Sequence, residues 1–323
     1  MNFTIEDLRA AADLVHRHVP PTPQYGWPLL SAEVGAEVWV KHENHTPTGA
    51  FKVRGGVMYV NRVVRDRPHV AGLISATRGN HGQSIALAGR TAGLPVTIVV
   101  PHGNSADKNA ATRAFGAELI EHGRDFQAAR EHAGVLASER GWEMVPSFHN
   151  DLVLGVATYA LELFESVPDL DTVYVPVGMG SGICGLIAAR DLLGLPTEIV
   201  GVVAEGAPSV ARSFVAGEAV STDTVDTFVD GVACRVPDPT AIAHIVAGAA
   251  RIIEVSDAAT AAAMRLVLRT THNLVEPAGA IATAGMCAER DRIAGTRVAT
   301  ILTGGNLDAH LLADVLAGRT PSP

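Results

Sequence analysis

The sequence is short of cysteine, aromatic residues, charge and long apolar runs, and each shortage removes a class of protein. Three cysteines, Cys184, Cys234 and Cys287, are scattered over 323 residues without CxxC spacing. They read as buried thiols in a reducing compartment, not as a disulfide framework or a zinc site. Aromatics are 5% and charged residues 18% of the chain. The abundance of alanine, valine and glycine instead suits parallel strands packed tightly between helices. Basic residues number 25 against 34 acidic ones, for a formal net charge of −9. No lysine or arginine run offsets that excess, so nucleic acid is not an expected partner. No apolar stretch approaches the about 20 residues that span a bilayer. The first residues, with Glu6, Asp7, Arg9 and Asp13 inside an apolar periodicity, read as an amphipathic helix and not as a secretory signal. A cytoplasmic protein with no membrane partner is expected.

What is present is enough apolar residue, 47% of the chain, to bury a large core, and a length that suits two domains. Pro20-Pro21-Thr22-Pro23 ends the first helix, and Glu37–Lys41 reads as a short strand. Apolar segments then alternate with helical patterns: a strand at 72–75, a helix from about Gly82, a strand at 96–100 and a helix from about Ala106. Beyond His149-Asn150-Asp151 the rhythm resumes, with a helix near 155–166, a strand at 172–176, a glycine loop, a helix and a strand at 198–203. This is βαβ organisation. Without a low-complexity linker, the two domains should exchange strands and pack closely, with the site in the cleft between them.

Gly178-Met179-Gly180-Ser181-Gly182-Ile183-Cys184-Gly185 follows a strand and opens a helix, an arrangement whose backbone N–H groups and helix dipole suit a phosphate. It is not G-x-x-x-x-G-K-[ST], and the position about 20 residues on, Glu198, starts the next strand where a ribose-binding acid would end it. A tight turn that needs glycine for packing is the competing account. Lys52, in Pro47-Thr48-Gly49-Ala50-Phe51-Lys52-Val53-Arg54-Gly55, can bind an aldehyde covalently if a cleft lowers its pKa. Most lysines are merely solvated, but Phe51 and Val53 at its sides point away from an exposed helix face. Thr77-Arg78-Gly79-Asn80-His81-Gly82-Gln83 could offer N–H groups to a carboxylate. His42-Glu43-Asn44-His45 puts its histidines at i and i+3, not at the H-E-x-x-H spacing of zinc proteases.

Taken together, these motifs resemble the threonine/serine dehydratase (ammonia-lyase) group of fold type II pyridoxal-phosphate enzymes, over nearly the whole chain. The matching segments, in the same order, are 47–54, 77–83, 178–185, Glu276-Pro277-Ala278-Gly279-Ala280 and Thr303-Gly304-Gly305-Asn306. The resemblance implies an α/β fold like that of the tryptophan synthase β-subunit: two open, twisted, mostly parallel sheets flanked by helices, with pyridoxal 5'-phosphate in the interdomain cleft. Residues 1–45 plus 151–323 would form the large, phosphate-binding domain and 46–150 the small domain carrying the carboxylate loop. It further implies that Lys52 binds the cofactor and later takes the substrate's α-proton, with Phe51 beside it. Gly178, Met179, Gly180, Ser181 and Gly182 would hold the phosphate. Asn80 would meet the phenolic oxygen, Thr303 the pyridine nitrogen, and Glu276 would lie near the ring unless it only serves its helix N-terminus. A neutral Thr303 favours β-elimination over transamination. Thr77, Arg78, Gly79, Asn80 and His81 would receive the substrate carboxylate.

Departures from that pattern carry information. At Arg78 related racemases have a serine able to reprotonate the α-carbon; arginine stays charged and is a poor proton shuttle. Dehydration with little racemisation is therefore expected, and Arg78 could instead meet a second substrate carboxylate or be structural. Ala50 replaces a serine. Glu205 is followed by Gly206-Ala207-Pro208-Ser209-Val210-Ala211, without the family's later aspartate, so its divalent-cation site is not expected. His149, His272 and Arg235 have no assigned role. The favoured activity is conversion of a β-hydroxy-α-amino acid such as threonine or serine to a 2-oxo acid and ammonia by a homodimer. The chain end at Pro323 leaves no room for an appended regulatory domain, which suggests a catabolic enzyme. The alternatives are a dehydratase for a bulkier or acidic substrate such as phenylserine or 3-hydroxyaspartate, a racemase or β-replacement synthase, and a non-catalytic binding protein.

Overall fold

A computed structural model describes residues 1–322. Its ten strands are β1 (Gln24–Gly26), β2 (Glu37–Lys41), β3 (Leu73–Ala76), β4 (Val96–Val100), β5 (Glu118–Glu121), β6 (Glu143–Met144), β7 (Thr172–Pro176), β8 (Glu198–Ala204), β9 (Arg251–Val255) and β10 (Arg297–Ile301). They form a six-stranded sheet ordered β1-β2-β10-β7-β8-β9 and a four-stranded sheet ordered β5-β4-β3-β6. Every pairing is parallel except β1 with β2. The N-terminal strands thus join the sheet built by the second half of the chain, through β2 against β10. The fold is the expected α/β arrangement of two mostly parallel sheets flanked by helices.

Helices cover both faces of each sheet, so alternate strand residues enter different cores. In β7, Val173 and Val175 join one core and Tyr174 the other; in β4, Val96, Ile98 and Val100 face away from Val99. Val-Thr-Ile-Val-Val is consequently buried along its full length, each large apolar side chain contributing roughly 1.5–3 kcal/mol. The helix Ile5–His16 starts at Thr4 in a capping box with Asp7.

The helix Lys52–Asp66 lies against both the helix Asn80–Thr91 and the helix Asn150–Ser166, and glycines let the second contact close. A Cβ on Gly155 would stand 2.3 Å from the Arg54 carbonyl oxygen, and one on Gly55 2.7 Å from that of Leu152. Beside this crossing sits a buried charge cluster. Arg54, fully buried, donates to Glu43 from Nε at 2.8 Å and from Nη2 at 2.9 Å, and to Glu162 from Nη1 at 2.5 Å. Lys41 Nζ reaches Glu162 at 2.5 Å, and Thr22 Oγ1 donates to Glu43 at 2.6 Å. Two cations thus face two carboxylates in a region where an uncompensated charge would be expensive.

Candidate active site

Three segments at the C-terminal ends of parallel strands meet between the sheets, the place where open α/β sheets leave a crevice. Thr303 follows β10, the loop 178–182 follows β7, and Thr77 to His81 follow β3 and open the helix Asn80–Thr91. Lys52 begins its own helix beside them, on a loop stitched to the segment after β10. Phe51 N donates to Thr303 O at 2.9 Å, Gly305 N to Gly49 O at 2.9 Å, and Asn306 Nδ2 to Thr48 O at 2.8 Å. These bonds fix where the Lys52 backbone sits.

Lys52 Nζ lies 3.0 Å from Ser181 Oγ and 4.9 Å from the centre of the Phe51 ring, which is edge-on to Tyr159. Part of its side chain still faces the crevice. Burial lowers its pKa to about 8, because the surroundings hydrate an ammonium poorly; near neutral pH an appreciable fraction is the free, nucleophilic amine.

The loop 178–182 wraps the start of the helix Ser181–Leu192. Gly180 has φ +97°, the left-handed region that glycine tolerates, and a Cβ on Gly178 would stand 2.5 Å from the Gly231 carbonyl oxygen. Glycine is thus required here for backbone approach, and the first-turn amides of the helix are left open to an external acceptor. Met179 is turned aside, its sulfur 3.6 Å from Cys234 Sγ.

Opposite, Gly79 N donates to Thr77 Oγ1 at 3.1 Å, which leaves the Asn80 and His81 amides as the unengaged donors of that helix start. Asn80 is held from both ends: its Nδ2 donates to Glu276 Oε1 at 2.7 Å and its Oδ1 accepts from Asn306 Nδ2 at 2.8 Å. Glu276 precedes the helix Pro277–Ala288 but makes no side-chain cap, so the helix-terminus account of this residue falls. Burial, opposed in part by Lys108, raises its carboxyl to about 7, and its Oε2 has no partner. Arg78 is exposed beside the loop and forms no ion pair among the described residues.

Other residues singled out in the sequence lie apart. His149 only caps a helix, accepting from Asp151 N at 3.1 Å, and His272, exposed, ends another with φ +57°. Arg235 is exposed and reaches only the Asp223 carbonyl, and Glu205 is exposed. His42 accepts from Trp27 Nε1 at 3.1 Å and His45 bonds Asn273 at 2.8 Å. Among the described residues no three metal-ligating side chains converge, and no helix is long and apolar enough to cross a membrane.

Two site neighbours were not foreseen. Lys108, from the helix Ala106–Ala114, is buried, ion-paired with Asp230 and packed beneath Gly79. Burial opposes its charge, but Asp230 and Glu276 outweigh that and raise its pKa. Asn306 joins Asn80 to the Lys52 loop. Asn306 sits in the quoted Thr-Gly-Gly-Asn motif, whereas Lys108 belongs to no motif and could be found only from the fold.

The profile of the family described as "Pyridoxal-phosphate dependent enzyme" matches residues 15–304. An L-threo-3-hydroxyaspartate ammonia-lyase of Saccharomyces cerevisiae is 32% identical over 99% of this chain and 98% of its own. An L-threonine ammonia-lyase of Thermotoga maritima is 31% identical over 97% of this chain and 78% of its own. Among solved structures, the processed threonine deaminase isoform 2 of Solanum lycopersicum superposes with TM-score 0.92 at 29% identity, covering 97% of this chain and 92% of that one. A pyridoxal 5'-phosphate-dependent aspartate racemase gives 0.91 at 27%, covering 96% and 98%.

Proposed function

Because the chain belongs to the pyridoxal-phosphate dependent enzymes, we propose that it eliminates water from a β-hydroxy-α-amino acid, the product then hydrolysing to a 2-oxo acid and ammonia. The observation that carries this reading is Lys52. Its desolvated amine stands 3.0 Å from Ser181 Oγ at the head of a glycine cradle, with His81 of the open-amide loop lining the same small cavity.

The residues present fit pyridoxal 5'-phosphate. Lys52 would hold its aldehyde carbon, the cradle from Gly178 to Gly182 its phosphate, and Phe51, Asn80, Glu276 and Thr303 its ring. The cofactor, when bound, supplies an electron sink for the substrate α-carbon. Lys52, once free, is the base that takes the α-proton, and a pKa near 8 suits both halves of that task. Ser181 holds the amine in place. Thr303 is neutral and buried, so it does not favour a protonated ring nitrogen. The Asn80 and His81 amides and Thr77 orient the substrate carboxylate, and Asn80 is itself steadied by Glu276 and Asn306. Arg78 offers no hydroxyl for reprotonation, so chiral analysis should find little racemisation. The same reading takes residues 46–150 as the small domain. It includes a cytoplasmic homodimer, supported by the family resemblance and by exposed apolar side chains such as Leu29 and Val215.

A second reading concerns the substrate. Arg78, exposed and free of any ion pair among the described residues, would receive a second carboxylate, and the yeast relative is named for 3-hydroxyaspartate. A 2-oxo acid release assay over threonine, serine, phenylserine and 3-hydroxyaspartate tests both. No product from any of them, with cofactor bound, refutes the elimination; kcat/KM for 3-hydroxyaspartate at or below that for threonine refutes the second carboxylate. Lys52→Ala should reduce turnover at least a thousandfold, and retained activity would remove the central assignment.

A further inference from the structure

Against Lys52 lies a small cavity of about 10 Å³, lined by the polar residues Lys52, His81, Ser147 and Ser181 and by Gly55, Leu152 and Val156. That is room for about one water, which also needs two to four polar partners. His81 supplies one. The residue is 8% exposed, its ring lies against the Pro146 backbone, and Nε2 has no partner. In the tautomer that carries its proton on Nδ1, Nε2 offers a lone pair in a buried position. Burial, reinforced by the Lys52 charge, pushes this imidazole down to about 3, so it is neutral wherever the enzyme works.

We propose that this cavity binds one water bridging the Lys52 amine to His81 Nε2 and Ser147 Oγ, which makes His81 a positioning residue for Lys52. The inference rests on the reading of Lys52 as the base. On taking a proton, the amine becomes an ammonium with three donors in a site that hydrates it poorly. Ser181 Oγ meets one donor at 3.0 Å; the water passes a second to the imidazole. A carboxylate in that place would hold Lys52 permanently charged. A neutral acceptor supports the ammonium when it forms and releases it afterwards. The groups facing Lys52 fit this division. His81 comes from the helix Asn80–Thr91, Ser181 from the helix Ser181–Leu192, and Phe51 from beside it. Tyr159, on the helix Asn150–Ser166, turns its hydroxyl to Gly182 O at 3.2 Å.

The test measures the Lys52 pKa directly, by competitive acetylation of the full-length protein freed of cofactor, quantified peptide by peptide across pH. His81→Phe should lower it by about one unit, because the charged form loses an acceptor. His81→Gln, which keeps an acceptor, should restore most of the difference, and Ser147→Ala should give a smaller drop. The acid limb of kcat in the holoenzyme should move in the same direction for the same variants. An unchanged Lys52 pKa in His81→Phe, or equal drops in His81→Phe and His81→Gln, overturns the inference. If His81→Phe does not fold, an unmoved pKa in Ser147→Ala overturns it, as does a high-resolution crystal structure showing no water in the cavity. These results are separable from the fate of the base itself: an active Lys52→Ala enzyme removes the underlying reading. An inactive one, with an unmoved pKa in the His81 variants, removes only this inference.

Discussion

Glu162→Gln changes almost no volume and removes one charge from the buried cluster around Arg54. The carboxylate accepts from Lys41 Nζ at 2.5 Å, from Arg54 Nη1 at 2.5 Å and Nη2 at 3.0 Å, and bonds His16 Nε2 at 2.7 Å. Burial works against its charge, but Arg54 and Lys41 outweigh that and hold its pKa low. With glutamine, Arg54 and Lys41 face Glu43 alone, which leaves one positive charge uncompensated. Breaking a buried pair in this way costs about 3–5 kcal/mol, whereas removing both partners costs much less. Urea unfolding, followed by circular dichroism and by fluorescence of Trp27, Trp39 and Trp142, should show that loss in Glu162→Gln. Lys41→Met combined with Glu162→Gln should recover part of it. The sign with pH follows from the lowered value: the contribution is present above the ordinary carboxylate range and is lost as pH falls through the folded pKa. Acidification should therefore destabilise the parent more than the variant. A Glu162→Gln protein within 1 kcal/mol of the parent would refute the reasoning, since size is conserved and only the charge is lost.

Gly178→Ala places a methyl group 2.5 Å from the Gly231 carbonyl oxygen, so the loop must shift; titration with pyridoxal 5'-phosphate should show at least tenfold weaker binding, about 1.4 kcal/mol, and parental affinity would contradict the cradle. Glu276 has a folded value raised from 4.5 to about 7, so its contribution to stability is full below the lower value and is lost as pH rises through the upper one. Glu276→Gln should accordingly lose less stability between about pH 5 and about pH 8 than the parent does; equal losses would show that this carboxyl is not buried in the folded protein.

Legibility of the sequence depended on how local each signal was. Val96–Val100 is apolar but for Thr97 and read as a strand, and the rhythm around 72–106 followed from it. β5, Glu-Leu-Ile-Glu, and the two-residue β6 have no such periodicity and are strands only because β4 and β3 offer them edges. Lys52 and the glycine loop were readable because their residue types are unusual at those spacings. The Arg54 cluster was not: Glu43, Arg54 and Glu162 look like ordinary surface charges until three segments bring them together. His81 could be placed on a helix start from sequence, but the position of its ring, beside Lys52 and against the Pro146 backbone, depends on the β3–β6 pairing that brings residue 146 alongside.

The crossing at Gly55 and Gly155 bears on how this chain can diverge. Neither glycine needs an unusual backbone angle and neither has a side chain to offer a ligand, yet a single added carbon at either would meet a carbonyl oxygen. Both positions are therefore closed to mutation by distance alone, and a drift experiment that scores only activity would report them as indispensable beside Lys52. Variation that retunes the substrate is therefore left to the loops around the crevice, with the spacing of these two helices held by distance alone.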